Sequence, residues 1–254
     1  MIVREHENEF VMIEQDDHAH ISGHLLHNWD RNLFHGVPLR KSVEYAVQNH
    51  DLGWKMIDKQ PFWNDEKEAP YTFVDFPVLP KTVFYKHGIE EVAKNDPYAG
   101  LLCSRHYTNF LLDDQSKEAE EFVRSEHKRQ KQISESLHVD NKLYDFHYGL
   151  LQFCDSLSLY ICLNNPGASK SNEHPFFKYG IPAPDQVFKQ DKILSRWRDK
   201  TTIEVDAFPF SAPVNVTINY KKVSRKTISE NGLIKSYTES PPDKYDVLLK
   251  AMEV

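Results

Sequence analysis

The chain is poor in sulfur, with three cysteines among 254 residues. Cys103, Cys154 and Cys162 are an odd set, so a fully paired disulfide framework is excluded and a reducing cytoplasm is the expected setting. Long apolar runs are also missing. The nearest candidate, residues 150–163, is broken by Gln152, Asp155 and Ser156 and falls short of the roughly 18 apolar residues of a membrane span. The opening MIVREHENEFVMIEQ has no apolar signal-peptide run. Positive charge is not in excess: 31 basic residues face 38 acidic ones, for a net charge of −7. Without a basic stripe, broad electrostatic binding of nucleic acid is disfavoured. A small anionic substrate stays compatible with this balance, because a bound metal supplies positive field locally. No G-x-S-x-G elbow, no phosphate-binding G-x-x-x-x-G-K-[ST] loop, no dinucleotide fingerprint and no internal repeat occurs.

Apolar residues make up 40% and charged residues 27%. That is the profile of a globular chain with enough length for one large core. Ile2-Val3 and Phe10–Ile13 flank a polar segment and predict a short β-hairpin. Asp16 or Asp17 is the expected cap of a helix through HAHISGHLLHNW, on which His18, Ile21, Leu25 and Trp29 share a face. Pro38 predicts a helix start, and Val43, Ala46, Val47 and His50 recur at i, i+3, i+4 and i+7, with Gly53 as the stop. Residues 60–85 carry four prolines and many aromatics and are expected to form a long loop, a lid over a site. A short helix is expected over HGIEEVAKN. A longer one then follows Asp96-Pro97, with Ala99, Leu102, Cys103, His106 and Phe110 on one face. Residues 115–137 predict a charged surface helix, and residues 141–163 a helix whose apolar stripe is edged by Asp155. After about residue 165 the composition changes. DKILSRW predicts a short helix. IEVDAFPF, VNVTINYKKVS and LIKSYTE alternate like strands, with Asn231-Gly232 as a hairpin turn.

The chain is rich in histidine, with 13 residues. His18, His50, Asp51, His87, His106 and Asp155 fall on or beside apolar faces of separate helices. Buried charge is costly unless paired or bound to metal, so these groups ask for a shared explanation. Imidazole and carboxylate without thiolate suit one or two divalent ions such as Fe, Mn, Zn or Ni, and argue against a structural zinc knot. His24 is the alternate for His18.

The order His, His-Asp, His, Asp resembles the HD-domain superfamily of metal-dependent phosphohydrolases over about residues 12–165, in an uncharacterised bacterial branch. The resemblance implies a mainly α fold: an HD-type helical bundle (residues 1–165) with a short N-terminal β-hairpin. A loop-rich extension with a small antiparallel β appendage (166–254) would pack on the same domain. It implies His18, His50, Asp51 and Asp155 around a first ion, with Asp51 bridging to a second ion held also by His87 and His106. Asp51 and His106 would then be catalytic. Members often carry a Lys after His-Asp-x-Gly; here the segment is HDLGW, with Trp54 in that place and Lys55 next. Trp54, Lys55 and Arg105 are the candidate substrate contacts, the plainer readings being a core aromatic for Trp54 and ordinary surface charge for Lys55 and Arg105. The implied function is metal-dependent hydrolysis of a small phosphorylated compound, a phosphomonoester or phosphodiester. The alternatives are a di-iron oxygenase of the HD type and a non-catalytic metal- or ligand-binding protein, with a homodimer as the compatible assembly.

Overall fold

The computed structural model describes residues 1–184 and 187–253. Two strands open the chain, β1 (Ile2–Glu5) and β2 (Glu9–Ile13). Helices α1 (Gln15–His27) and α2 (Arg40–Asn49) follow, then the single turn α3 (Lys55–Asp58). A small ladder of β3 (Trp63–Asn64) and β4 (Ala69–Pro70) precedes the long helices α4 (Val78–Asn95), α5 (Pro97–Asn109), α6 (Lys117–Leu137) and α7 (Asn141–Leu163). Strands β5 (Ile181–Pro182) and β6 (Lys192–Ile193) form a second small ladder. Then come β7 (Ser195–Trp197), β8 (Thr202–Val205), β9 (Val214–Ser224), the short helices α8 (Arg225–Asn231) and α9 (Leu233–Glu239), and β10 (Pro242–Ala251).

Local chemistry sets several helix starts. Asp96 accepts the Ala99 N–H at 3.0 Å and Pro97 occupies the first turn of α5, where a missing N–H costs nothing. Ser116 and Asp140 cap α6 and α7 in the same way, through the N–H groups of Ala119 and Leu143. In α1 the helix begins one residue before Asp16 and Asp17, which lie in its first turn rather than at the cap. There their charge complements the helix dipole.

The mainly α expectation is overturned. The chain is about 52% helical and 19% strand, and six of its strands form one mixed sheet curled into a half-barrel. The strand order is β1-β2-β9-β10-β8-β7. All pairings are antiparallel except β10 with β8. The N-terminal hairpin is thus not a separate ornament: Phe10 lies opposite Val223 and Met12 opposite Lys221. On β9 the residues Val214, Val216 and Ile218 point inward with exposed residues between them, the alternation of a half-buried strand.

Four local readings also change, each for a physical reason. LIKSYTE is helix α9, not a strand, and Gly232 at φ +79° breaks two short helices apart rather than closing a hairpin. DKILSRW forms strands β6 and β7, not a helix. The segment at 60–85 is a loop only to residue 77. Pro77 and Pro80 stand at the start of α4, where proline is tolerated because the first N–H groups have no partner in the helix. Strand β10 buries little beyond Val247 and Leu249, so its periodicity was invisible.

Helix α1 packs against α2, α7 and β9. Trp29 at its end meets Phe153 of α7 edge-on at 5.5 Å and Phe210 at 6.1 Å. The sheet therefore backs the helix that carries His18. Among the described residues no helix is long and apolar enough to cross a membrane.

Candidate metal centre

Five of the six candidate ligands converge. His18 comes from α1, His50 from the end of α2, Asp51 from the next residue, His106 from α5 and Asp155 from α7. They form two overlapping groups, His18–His50–Asp51 and His50–His106–Asp155, each with its donor atoms within 4.8 Å of one another. All five are buried, and Asp155 is the most exposed at 7%.

The position of Asp51 depends on glycine. The turn Leu52–Trp54 lies directly against the α4 backbone. A Cβ on Gly53 would stand 2.3 Å from the Phe84 carbonyl oxygen, and one on Gly88 would stand 2.6 Å from the Gly53 nitrogen. No other residue permits that approach, which locks the His50-Asp51 corner against α4.

The hydrogen bonds fix the tautomers of two imidazoles. His50 Nδ1 lies 2.7 Å from the Val47 carbonyl oxygen, which only accepts, so Nδ1 carries the proton. His18 Nδ1 lies 2.8 Å from Ser158 Oγ, and the Ser158 hydroxyl spends its one proton on the His18 carbonyl at 2.8 Å. His18 Nδ1 is therefore also the donor. In both neutral rings Nε2 is a lone pair aimed into the site, and the two Nε2 atoms face each other at 3.2 Å. Facing lone pairs repel unless a proton or a cation lies between them.

The carboxylates close the ring. Asp51 Oδ2 is 3.3 Å from His18 Nε2 and 3.7 Å from His50 Nε2; Asp155 Oδ1 is 3.3 Å and 3.4 Å from the same two atoms. Donors about 2.1 Å from one ion sit about 3.0 Å apart at right angles and about 3.4 Å apart at tetrahedral angles. The observed spacings fall around that range. His106 stands further out, with Nε2 4.0 Å from the other Asp155 oxygen.

The electrostatics agree with a site that wants positive charge. Burial disfavours a charged His18, but Asp155 and Asp51 outweigh it and push the imidazole up to about 9. His50 is raised against burial by the same two acids. Burial would also raise Asp51 and Asp155, yet the imidazoles hold both below the usual carboxylate range. His106 is pulled down by burial to about 4 and stays neutral. In the ion-free protein a proton on His18 thus offsets part of the carboxylate charge and lies between the facing nitrogens, the place that a divalent ion would take.

The remaining candidates lie elsewhere. His87 is exposed on α4, near Glu91, and is not part of the cluster. His24 is exposed, with Nε2 3.1 Å from the Asn215 carbonyl oxygen. Trp54 is buried among Phe76, Phe84 and Tyr85, so it is a core aromatic with no face to offer a substrate. Lys55 turns to Asp16 at 3.0 Å. Arg105 bonds Asp145 at 2.6 Å and lies over the Tyr148 ring at 4.1 Å. It is next in sequence to His106. The cysteines are all free and buried, and burial raises their thiols, Cys162 to about 12.

Two supporting residues escaped the sequence reading. Ser158 orients His18, and Gln15 donates from Nε2 to Asp51 Oδ2 at 2.9 Å. Each lies three residues from a ligand on its own helix, Ser158 from Asp155 and Gln15 from His18. That same-face spacing was the available signal.

Residues 1–225 match the family described as Protein of unknown function (DUF3891). The chain belongs to the DUF3891 family. No curated protein and no solved structure matches it. For this DUF3891 chain the site itself carries the functional argument.

Proposed function

We propose that this DUF3891 chain is a metal-dependent hydrolase of a small phosphorylated compound, with one divalent ion held by His18, His50, Asp51 and Asp155. The observation that carries the reading is the pair of Nε2 lone pairs facing each other at 3.2 Å between two buried carboxylates. The resemblance of the His, His-Asp, Asp order to HD-type phosphohydrolases supports it. His18, His50, Asp51 and Asp155 would hold an ion whose chemistry would be to lower the pKa of a bound water and polarise a phosphoryl oxygen.

The protein's own groups then divide the work. Val47 and Ser158 hold the imidazoles in the ligating tautomer, as partners of metal-binding histidines generally do. His106, neutral and set outside the inner four, is placed to accept the proton of an attacking water. Arg105, beside His106 in the sequence, would supply the phosphate contact, since its bond to exposed Asp145 is weak enough to exchange for a phosphate. A single ion is favoured over two. His50 uses Nδ1 on Val47 and has one lone pair left, shared by both groups of donors. The di-iron oxygenase alternative needs a sixth ligand, and exposed His87 does not supply it.

The test is elemental analysis of purified protein together with phosphate release from a panel of phosphomonoesters and phosphodiesters. About one equivalent of a transition metal, with turnover abolished by chelation and in Asp155→Ala, supports the reading. Metal-free protein that gains neither thermal stability nor turnover from Mn, Fe, Zn or Ni overturns it.

A further inference from the structure

Gln15 is a buried polar residue whose side-chain bond runs to a member of the candidate centre. It is 2% exposed. Its side-chain N–H reaches Asp51 Oδ2 at 2.9 Å, and its backbone N–H reaches buried Asp58 at 2.6 Å. Its carbonyl oxygen Oε1 is buried without a donor. Turning the amide over would bring that oxygen against the Asp51 carboxylate, so charge fixes the orientation with Nε2 on Asp51. Leaving Oε1 unpaired costs stability. An apolar side chain of the same shape would avoid that cost, so packing alone does not account for an amide here.

The oxygen that Gln15 grips is the one that faces the imidazoles, since Asp51 Oδ2 is also the atom 3.3 Å from His18 Nε2. A donor on that oxygen stops the carboxylate from swinging, draws off part of its charge, and leaves the remaining lone pair directed at the inner donors. Resting on the metal reading above, we propose that Gln15 is a positioning residue for Asp51 that sets how tightly, and with what carboxylate geometry, the centre holds its ion.

The experiment compares wild-type protein with Gln15→Met, which keeps length and volume but has no N–H. Each is stripped with chelator and titrated with Mn(II) and Co(II). We expect Gln15→Met to bind either ion 10- to 100-fold more weakly, the usual effect of losing a partner of a ligand. The visible spectrum of its Co(II) form should shift. Gln15→Asn, one methylene shorter, should weaken binding in the same direction and serves if the methionine variant does not fold. Unchanged affinity and spectrum in the variants, with a lowered metal-free melting temperature, would make Gln15 an ordinary structural residue and overturn the proposal. Wild-type protein that binds neither ion would overturn the metal reading itself, and this inference with it.

Discussion

His50 belongs to both groups of donors, so replacing it by alanine is the sharpest perturbation of the centre. In wild-type protein an ion at about 100 times its Kd stabilises the fold by about 2.7 kcal/mol. For a chain of this length that raises Tm by roughly 5–11 °C. His50→Ala removes one donor from the inner four and one side of the 3.2 Å contact with His18. If affinity falls a hundredfold, the same ion concentration equals Kd and the stabilisation drops to about 0.4 kcal/mol, a shift of only about 1–2 °C. The assay is thermal melting of each protein with and without metal, each variant compared with its own chelated form. That cancels the cost of the cavity and of the lost bond to Val47. His87→Ala, at an exposed position, is the control and should retain the full shift. A His50→Ala protein with an undiminished metal shift would refute the shared-ligand reasoning, as would a His87→Ala protein without one.

Other outcomes follow from the same geometry. His106→Ala should keep about one equivalent of metal while kcat falls about 100-fold or more, the range expected for a lost proton acceptor; loss of the metal itself would make His106 an inner ligand. In chelated protein His18 has its imidazole raised from 6.5 to about 9. The stability it contributes is therefore complete below pH 6.5 and fades as pH rises toward 9. The metal-induced Tm shift should grow across that window, and a shift that shrinks there would contradict the assignment. Gly53→Ala places a Cβ 2.3 Å from the Phe84 oxygen. It should destabilise the protein by about 1–3 kcal/mol and weaken metal binding along with it, read by melting and titration. Arg105→Ala should raise KM for a phosphorylated substrate about tenfold or more with metal content unchanged, and an unaltered KM would remove Arg105 from the site.

The clustered histidines and aspartates were legible because helical spacing exposes them. His50 shares a stripe with Val43, Ala46 and Val47, and Asp155 interrupts an apolar helix where only a partnered charge is tolerated. Strands β1, β2, β8 and β9 were legible from local alternation, but their joining into one sheet was not, because its logic is long-range. Nothing local in EFVMI announces pairing with a strand over 200 residues later, and β10 hides its two inward residues, Val247 and Leu249, among polar neighbours. Asn231-Gly232 misled because glycine at positive φ serves a helix break as readily as a hairpin. Trp54 and His87 show the limit of a motif: position in a sequence pattern placed both at the site. Packing put one in the core and the other in solvent.

The pairing of β2 with β9 ties the metal centre to the far end of the chain. The strand that leads into α1 is stitched along Glu9–Met12 to Lys221–Ser224. A fragment stopped at residue 165 would leave that seam open and bare the side of α1 that β9 covers. The candidate centre is not an autonomous helical module: whatever melts the C-terminal strands loosens the anchor of His18.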